Sequence, residues 1–255
     1  LKGNIEMSRR KIQISILTLI ILILAFSNLS AQWEIDLEFG PVFNGYNDVQ
    51  IPNETGTRFS LTDDLSVDPD FFFRTRVSFI IDGMHVISGF AAPLRLDAEG
   101  SVGKEILFEG TTFPANTELR GFYRFDSYRL TYRYNFIREP DLTIGLGFTA
   151  KVRDAEIRIE SEDQIASKTN TGFVPLINFR IDWLFAERFG LLFAGDALAA
   201  PQGRAEDVIL ALKYHIDENL ALKSGYRILE GGADVDDAYT FALLHYISFG
   251  LILSF

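Results

Sequence analysis

Hydrophobic and polar residues alternate with a period of two along much of this chain. The end of the chain shows it most clearly, because the large apolar residues of the last stretch share one phase: Phe241, Leu243, Ile247, Phe249, Leu251, Leu253 and Phe255. The opposite phase holds small or polar residues: Ala242, Ser248, Gly250 and Ser254. Successive side chains of a β-strand point to opposite sides, so this pattern predicts a strand with one apolar face.

The same alternation recurs in segments separated by turn residues, and no long helical pattern interrupts them. We predict ten strands, near 32–45, 71–82, 85–97, 118–137, 141–159, 170–184, 188–199, 204–216, 220–230 and 237–255. The stretch 100–114 is predicted as a small hairpin inside a loop. Twelve strands would result if that stretch entered the wall, and eight if one pair were misassigned.

The predicted connections differ in length between the two ends of the strands. Tight turns are predicted at 82–84, 138–140, 185–187 and 217–219. They alternate with other loops, most of them longer, at 46–70, 98–117, 160–169, 200–203 and 231–236. Short turns at one end and longer loops at the other are typical of membrane-spanning barrels.

Charged residues occupy the face opposite the apolar one. The predicted set is Glu34, Asp36, Glu38, Arg74, Arg76, Arg129, Arg133, Lys151, Arg153, Arg180, Lys223 and Arg227. A charge facing hydrocarbon costs about 2–4 kcal/mol near the midplane, so in a membrane this face must line the lumen. We therefore predict an all-β fold, a closed antiparallel transmembrane β-barrel with up-and-down topology. A soluble β-sandwich or lipocalin-like barrel would show the same alternation and is the structural alternative.

The first residues resemble a secretory signal peptide. Arg9, Arg10 and Lys11 precede an apolar stretch from 12 to 26, and small and polar residues follow up to Ala31. We expect residues 1–31 to be a signal peptide cleaved after Ala31, with 1–6 as an upstream extension before Met7. The barrel domain is then 32–255.

Composition narrows the chemistry. The chain of 255 residues has no cysteine, which excludes disulfides, thiolate metal sites and a cysteine nucleophile. Its formal net charge is −11 without basic clusters, which argues against nucleic acid as a partner.

The signal at 7–31 and the final strand 241–255 resemble those of small outer-membrane β-barrel proteins of Gram-negative bacteria. The resemblance implies an outer-membrane location with both termini periplasmic, and a monomer in contact with outer-membrane lipids and lipopolysaccharide. It also implies that the barrel assembly machinery reads a terminal signal, here Phe249, Leu251, Leu253 and Phe255. It covers the architecture of the whole chain and brings no catalytic motif.

Three functions remain open from the sequence. A barrel of about ten strands is narrow enough for side chains to fill, so we expect a charge-filled lumen and a structural or surface-interaction role. Within the lumen we predict an ion pair between Glu38 and Arg76. A narrow passive channel for small solutes is the first alternative function. A lipid-modifying enzyme is the second, but we expect no enzyme: His85 and His215 lie beside short turns, and His245 has the phase of the apolar face.

Acidic residues crowd two predicted loops. They are Asp63, Asp64, Asp68 and Asp70 in the first, and Asp234, Asp236 and Asp237 in the second. Neither run has the ligand spacing of an EF-hand, so we expect solvated loop charge, with divalent ions bridging it to lipopolysaccharide phosphates. Asp234, Asp236 and Asp237 are kept as candidate metal ligands, and no cofactor is expected.

Overall fold

A computed structural model describes residues 31–255. The predicted signal peptide, apart from Ala31, lies outside the described residues. The described chain is all-β, with these strands in order: β1 (Ala31–Gln50), β2 (Phe59–Ser60), β3 (Ser66–Val67), β4 (Asp70–Ile81), β5 (His85–Ala92), β6 (Arg95–Ser101), β7 (Ile106–Phe108), β8 (Thr111–Phe113), β9 (Glu118–Arg138), β10 (Leu142–Glu160), β11 (Ile165–Leu184), β12 (Phe189–Ala200), β13 (Gly203–His215), β14 (Leu220–Val235) and β15 (Ala238–Ser254).

The long strands close into an antiparallel barrel. Each pairs with the next along the chain, and β15 pairs with β1 from Ser254 opposite Glu34 to Tyr239 opposite Gln50. β5 and β6 both pair with β9 and together make one wall strand. The wall therefore has ten strands in up-and-down order, and the predicted fold class is confirmed.

The wall strand predicted at 85–97 is interrupted. Regular structure stops after Ala92 and resumes at Arg95, with Pro93 and Leu94 between. Proline has no backbone N–H for the ladder, which explains the break. The Leu94 amide instead donates to the Asp126 carboxylate at 3.2 Å.

Both described ends of the chain, Ala31 and Phe255, lie at one end of the barrel, which we name the terminal end; the opposite one is the loop end. The prediction of longer loops there is only partly right. Strands continue through most of 160–169 and 231–236, leaving tips at 161–164 and 236–237. Backbone pairing continues beyond the part of each strand in which apolar and polar residues must alternate. The alternating sequence pattern therefore ends before the strands do. The predicted hairpin within 100–114 is present as β7 and β8, outside the wall.

The outward face of the wall is apolar and the inward face is buried. Phe71, Phe148 and Leu130 are 80%, 70% and 60% exposed, whereas Glu38, Arg74 and Asp207 are each 3% exposed. An apolar surface of this kind would be unfavourable in water and is favourable in lipid. Within residues 31–255, no helix has the length and apolar character that a membrane crossing requires.

A compact apolar core fills part of the lumen at the loop end, which the sequence did not predict. Inward side chains of the wall contribute to it: Val42, Val49, Leu96, Leu119, Tyr123, Ile157, Ile159, Leu229, Leu244 and Tyr246. The loop between β1 and β4 and the β7–β8 hairpin supply others: Ile51, Phe59, Leu61, Leu65, Ile106, Phe108 and Phe113. These loops fold inward, where the Leu61 amide donates to the Asn47 carbonyl at 2.8 Å.

Candidate functional site: the charged lumen and its cavity

Ion pairs cross the lumen near the terminal end. Arg180 on β11 lies 3.8 Å from Glu34 on β1, and these two strands stand opposite each other in the ten-stranded wall. Arg180 also contacts Asp182 at 2.9 Å, and Asp182 in turn pairs with Lys213 of β13. A direct contact between opposite walls leaves little room for a water-filled path at this level.

A second group of ion pairs joins β14 to β1. Lys223 Nζ lies 2.6 Å from Asp36 and 3.0 Å from Glu38. Arg227 binds both oxygens of Glu38, with Nε at 2.6 Å and Nη2 at 2.8 Å. This bidentate geometry gives strong, oriented charge-assisted hydrogen bonds.

The predicted pair between Glu38 and Arg76 is wrong. In the β1–β4 ladder Glu38 is opposite Arg74, while Arg76 is opposite Asp36. Counting residues from the terminal end treats the strands as level, but barrel strands tilt and their registers are staggered. The Arg76 guanidinium instead lies over the Phe90 ring at 4.8 Å.

Asp207 of β13 connects the largest set of strands. It accepts hydrogen bonds from Arg74 of β4 at 3.0 Å, from Arg227 of β14 at 2.6 Å, and from Arg129 of β9. Arg129 also donates to Asp196 of β12 at 2.7 Å. Three guanidinium groups around one buried carboxylate tie together both sides of the lumen.

Nine of the twelve charged residues predicted for the lumen are buried; of the other three, Glu34 lies near Arg180, Arg76 lies over Phe90, and Arg153 lines a cavity. Sequence reasoning missed four members of the network: Asp182, Asp196, Asp207 and Lys213. Their inward phase was readable, since Asp182 follows Arg180 by two residues. Their ion-pair partners could not be predicted from the sequence, because partners on non-adjacent strands leave no local pattern.

The sign of the charge differs between the lumen and the whole chain. Inside, basic side chains outnumber acidic ones, with eight buried Lys and Arg against six buried Asp and Glu among the described residues, and Arg76, Arg133 and Lys151 form no direct ion pair there. The formal net charge of the chain is nevertheless −11. The acidic excess is therefore carried by loops and rims, and the lumen is positive.

Above the ion pairs, a cavity of about 490 Å³ lies at the loop end between the apolar core and β11–β14. Lys151 and Arg153 of β10 line it, together with Phe125, Val174 and Leu229. The cavity is thus amphipathic, with cationic groups beside apolar walls.

The cavity reaches a seam in the barrel wall. Pairing between β11 and β12 stops at Ile177 opposite Ala197, although β11 continues to pair with β10 as far as Ile165. Pro175 lies two residues from Ile177 toward the loop end, and it has no backbone N–H that could extend the ladder. Phe173 and Leu198 line the cavity on the two sides of this seam and are 67% and 37% exposed.

The histidines do not form a hydrolase-like arrangement. His85 Nδ1 is 2.8 Å from the Tyr132 hydroxyl, and His245 is hydrogen-bonded to Tyr226 on the outward face. His215 Nε2 has no partner in the described part of the chain. None of the three is hydrogen-bonded to a serine or a carboxylate among residues 31–255.

The acidic loop residues are engaged in loop structure. Asp64 accepts a hydrogen bond from the Ser60 amide at 2.8 Å, and Asp234 accepts one from Asn53 at 2.7 Å. The candidate metal ligands Asp234, Asp236 and Asp237 do not come together as a group: the described residues contain no cluster of three or more potential ligands.

No family model and no curated protein sequence matches the chain. Among solved structures, it is similar to the outer membrane protease OmpT from Escherichia coli, with a TM-score of 0.55 and 11% identity over 90% of this chain and 99% of that one. The fold is that of an outer-membrane β-barrel. At this identity the likeness concerns the fold alone, and the protease activity is that of OmpT.

Two further barrels are similar at lower scores. Ail of Yersinia pestis, in complex with the heparin analogue sucrose octasulfate, has a TM-score of 0.41 and 12% identity over 88% of this chain and 99% of that one. OprG of Pseudomonas aeruginosa has a TM-score of 0.39 and 9% identity over 89% of this chain and 97% of that one.

Proposed function

We propose that this outer-membrane β-barrel has a closed lumen and acts through its loop end, as a structural or surface-interaction protein. The observation that carries the proposal is the Asp207 cluster, in which Arg74, Arg129 and Arg227 meet one carboxylate from three strands. Such mutually satisfied ion pairs stabilise each other and resist separation by a passing ion. The Arg180–Glu34 contact closes the lumen again nearer the terminal end.

We also propose how the barrel is oriented in the outer membrane and what surrounds it. The terminal end faces the periplasm and the loop end faces outward, as a monomer in contact with outer-membrane lipids and lipopolysaccharide. Short turns at the terminal end support this orientation, since outer-membrane barrels have short periplasmic turns. The outward residues Phe249, Leu251, Leu253 and Phe255 serve as the signal for the barrel assembly machinery. We assign no catalytic role to the histidines, because none of them is hydrogen-bonded to a carboxylate or a serine among residues 31–255.

Planar-bilayer recording tests the closed lumen. The refolded chain, with folding verified by circular dichroism and by heat-modifiable migration in gels, is expected to give no conductance steps in 1 M KCl. A general porin in the same bilayers is the positive control for detection. Reproducible ohmic steps from the folded protein would contradict the closed lumen and favour the narrow passive channel instead.

A further inference from the structure

Lys151 is a buried lysine that forms no ion pair among the described residues. It is 4% exposed, and its neighbours across the two ladders are Arg129 and Val174. Among residues 31–255 its ammonium has no hydrogen-bond acceptor and no carboxylate within ion-pair distance, and it lies over the Phe125 ring, 4.8 Å from Nζ to the centroid. The carboxylates of this level, Asp196 and Asp207, are bound by Arg129. Burying an unpaired charge is costly, so an anion beside Lys151 would stabilise its ammonium form.

Two further donors that line the same cavity also lack acceptors. Arg153 Nε and Asn47 Nδ2 are both buried and without a partner in the described part of the chain. Buried polar groups in folded proteins are almost always satisfied, so exceptions of one kind in one cavity call for an explanation. Both groups are donors, and the Arg153 guanidinium donates to the amide oxygen of Asn170 and to no carboxylate among the described residues, so the cavity lining carries cationic donors without an ion-pair partner.

The acidic residues around the cavity do not supply that acceptor. Glu156 is paired with Arg124 at 3.3 Å, and Glu230 with Arg204 at 2.6 Å. Glu206 has the outward phase of β13, and Asp237 lies in the turn between β14 and β15. The remaining lining is largely apolar, including Tyr123, Ile157 and Leu229, which belong to the apolar core.

We propose that this cavity binds a small amphipathic anion, with its anionic headgroup on Lys151 and Arg153 and its apolar body against the core. The cavity volume of about 490 Å³ is in the range of small-molecule sites. A carboxylate or similar headgroup would give the Lys151 ammonium the ion-pair partner that the described residues do not provide. The apolar body gains from burial beside Phe125, Leu198 and Leu229.

Octanoate binding to the protein in nanodiscs of zwitterionic lipid tests the proposal, with empty nanodiscs subtracted for partition into lipid. The wild type is expected to bind octanoate saturably. Lys151→Met removes the cation while keeping much of the side-chain volume, and it should weaken octanoate binding by about 10- to 100-fold, the effect of one charge-assisted hydrogen bond. Octanol, which has the same chain and no charge, should bind the two proteins alike.

Two other variants separate the headgroup from the apolar body. Lys104→Met removes the same charge from an exposed loop that does not line the cavity, and it should leave octanoate binding unchanged. Ala205→Leu narrows the cavity without changing charge, and it should weaken octanoate and octanol together. Circular dichroism and heat-modifiable migration verify folding of each variant.

Three results would overturn the inference: no saturable octanoate binding to the wild type, wild-type affinity in Lys151→Met, or equal affinity for acetate and octanoate. None of them bears on the closed lumen, which conductance measures separately.

Discussion

At the scale of single residues, Lys151 and Lys223 face the same lumen in opposite electrostatic surroundings. Lys223 has two carboxylates within 3.0 Å, whereas Lys151 has Arg129 across the ladder and no carboxylate partner among the described residues. Removing one partner of a buried ion pair leaves the other charge buried and unpaired, which destabilises the protein. Removing a buried charge that has no partner instead removes its desolvation penalty. The two lysines should therefore affect stability in opposite directions.

We expect Lys223→Met to lower the free energy of unfolding by about 3 kcal/mol, because Asp36 loses its ammonium partner. We expect Lys151→Met to raise it by about 1 kcal/mol, since no carboxylate is left behind. Urea titration of the protein folded into lipid vesicles, followed by tryptophan fluorescence, measures both. Equal losses in the two variants would show that Lys151 is as well compensated as Lys223.

At the scale of elements, β15 closes the barrel through its backbone. The Phe255 amide donates to the Trp33 carbonyl at 2.8 Å, and the Trp33 amide donates back to Phe255 at 3.1 Å. The Phe255 side chain points outward and is 66% exposed. The bonds that close the wall therefore do not depend on the aromatic ring, which leaves it free to act as a recognition signal.

Phe255→Ser should separate these two roles. Backbone pairing is retained, so refolding into lipid vesicles in vitro is expected to proceed at the wild-type yield. If the assembly machinery reads the terminal aromatic residue, the amount of folded barrel in the outer membrane of living cells should fall at least severalfold. Ser254→Ala, which changes an inward residue of the same strand, is the control. An unchanged level of folded Phe255→Ser in cells would argue against the assembly signal.

The sequence predicted which segments form strands more accurately than it predicted where each strand ends. The residues of β4, β9 and β10 match the predicted strands to within one residue at each end. β1, β11 and β14 continue five residues beyond the predictions at the loop end, where apolar and polar residues no longer alternate in the sequence, although Val49 and Ala166 are still buried there. Hydrogen bonding sets the length of a strand, while the alternation reports only the part of it that lies in the membrane.

At the scale of the whole molecule, an apolar outer face surrounds a charged and packed interior. Phe148 on β10 is 70% exposed and lies among other outward apolar residues such as Tyr132 and Ile177, its partners in the two neighbouring strands. This inside-out distribution follows from the solvent, because lipid accepts the apolar face and cannot accept the charged one.

Phe148→Arg should lower the free energy of unfolding of the protein in lipid vesicles by about 2–4 kcal/mol, the cost of an arginine on the lipid face near the midplane. Thr112→Arg places the same side chain on the exposed β7–β8 hairpin and should change stability by less than about 0.5 kcal/mol. Equilibrium folding into vesicles against urea measures both. Equal stability of the two variants would mean that Phe148 does not face lipid.

The sequence by itself predicted the closed barrel, a strand count near ten with eight or twelve left open, and a charged face directed inward. Each follows from a period of two, which is a local property of the chain. Only the tertiary structure decided which charges meet, because tilt and stagger bring residues such as Asp207 and Arg74 together across the lumen from strands far apart in sequence. It also decided that Lys151 meets none, and that the loops after β1 and β6 fold inward and leave a cavity above the charges. Those outcomes depend on closure of the whole wall, and no short stretch of sequence encodes it.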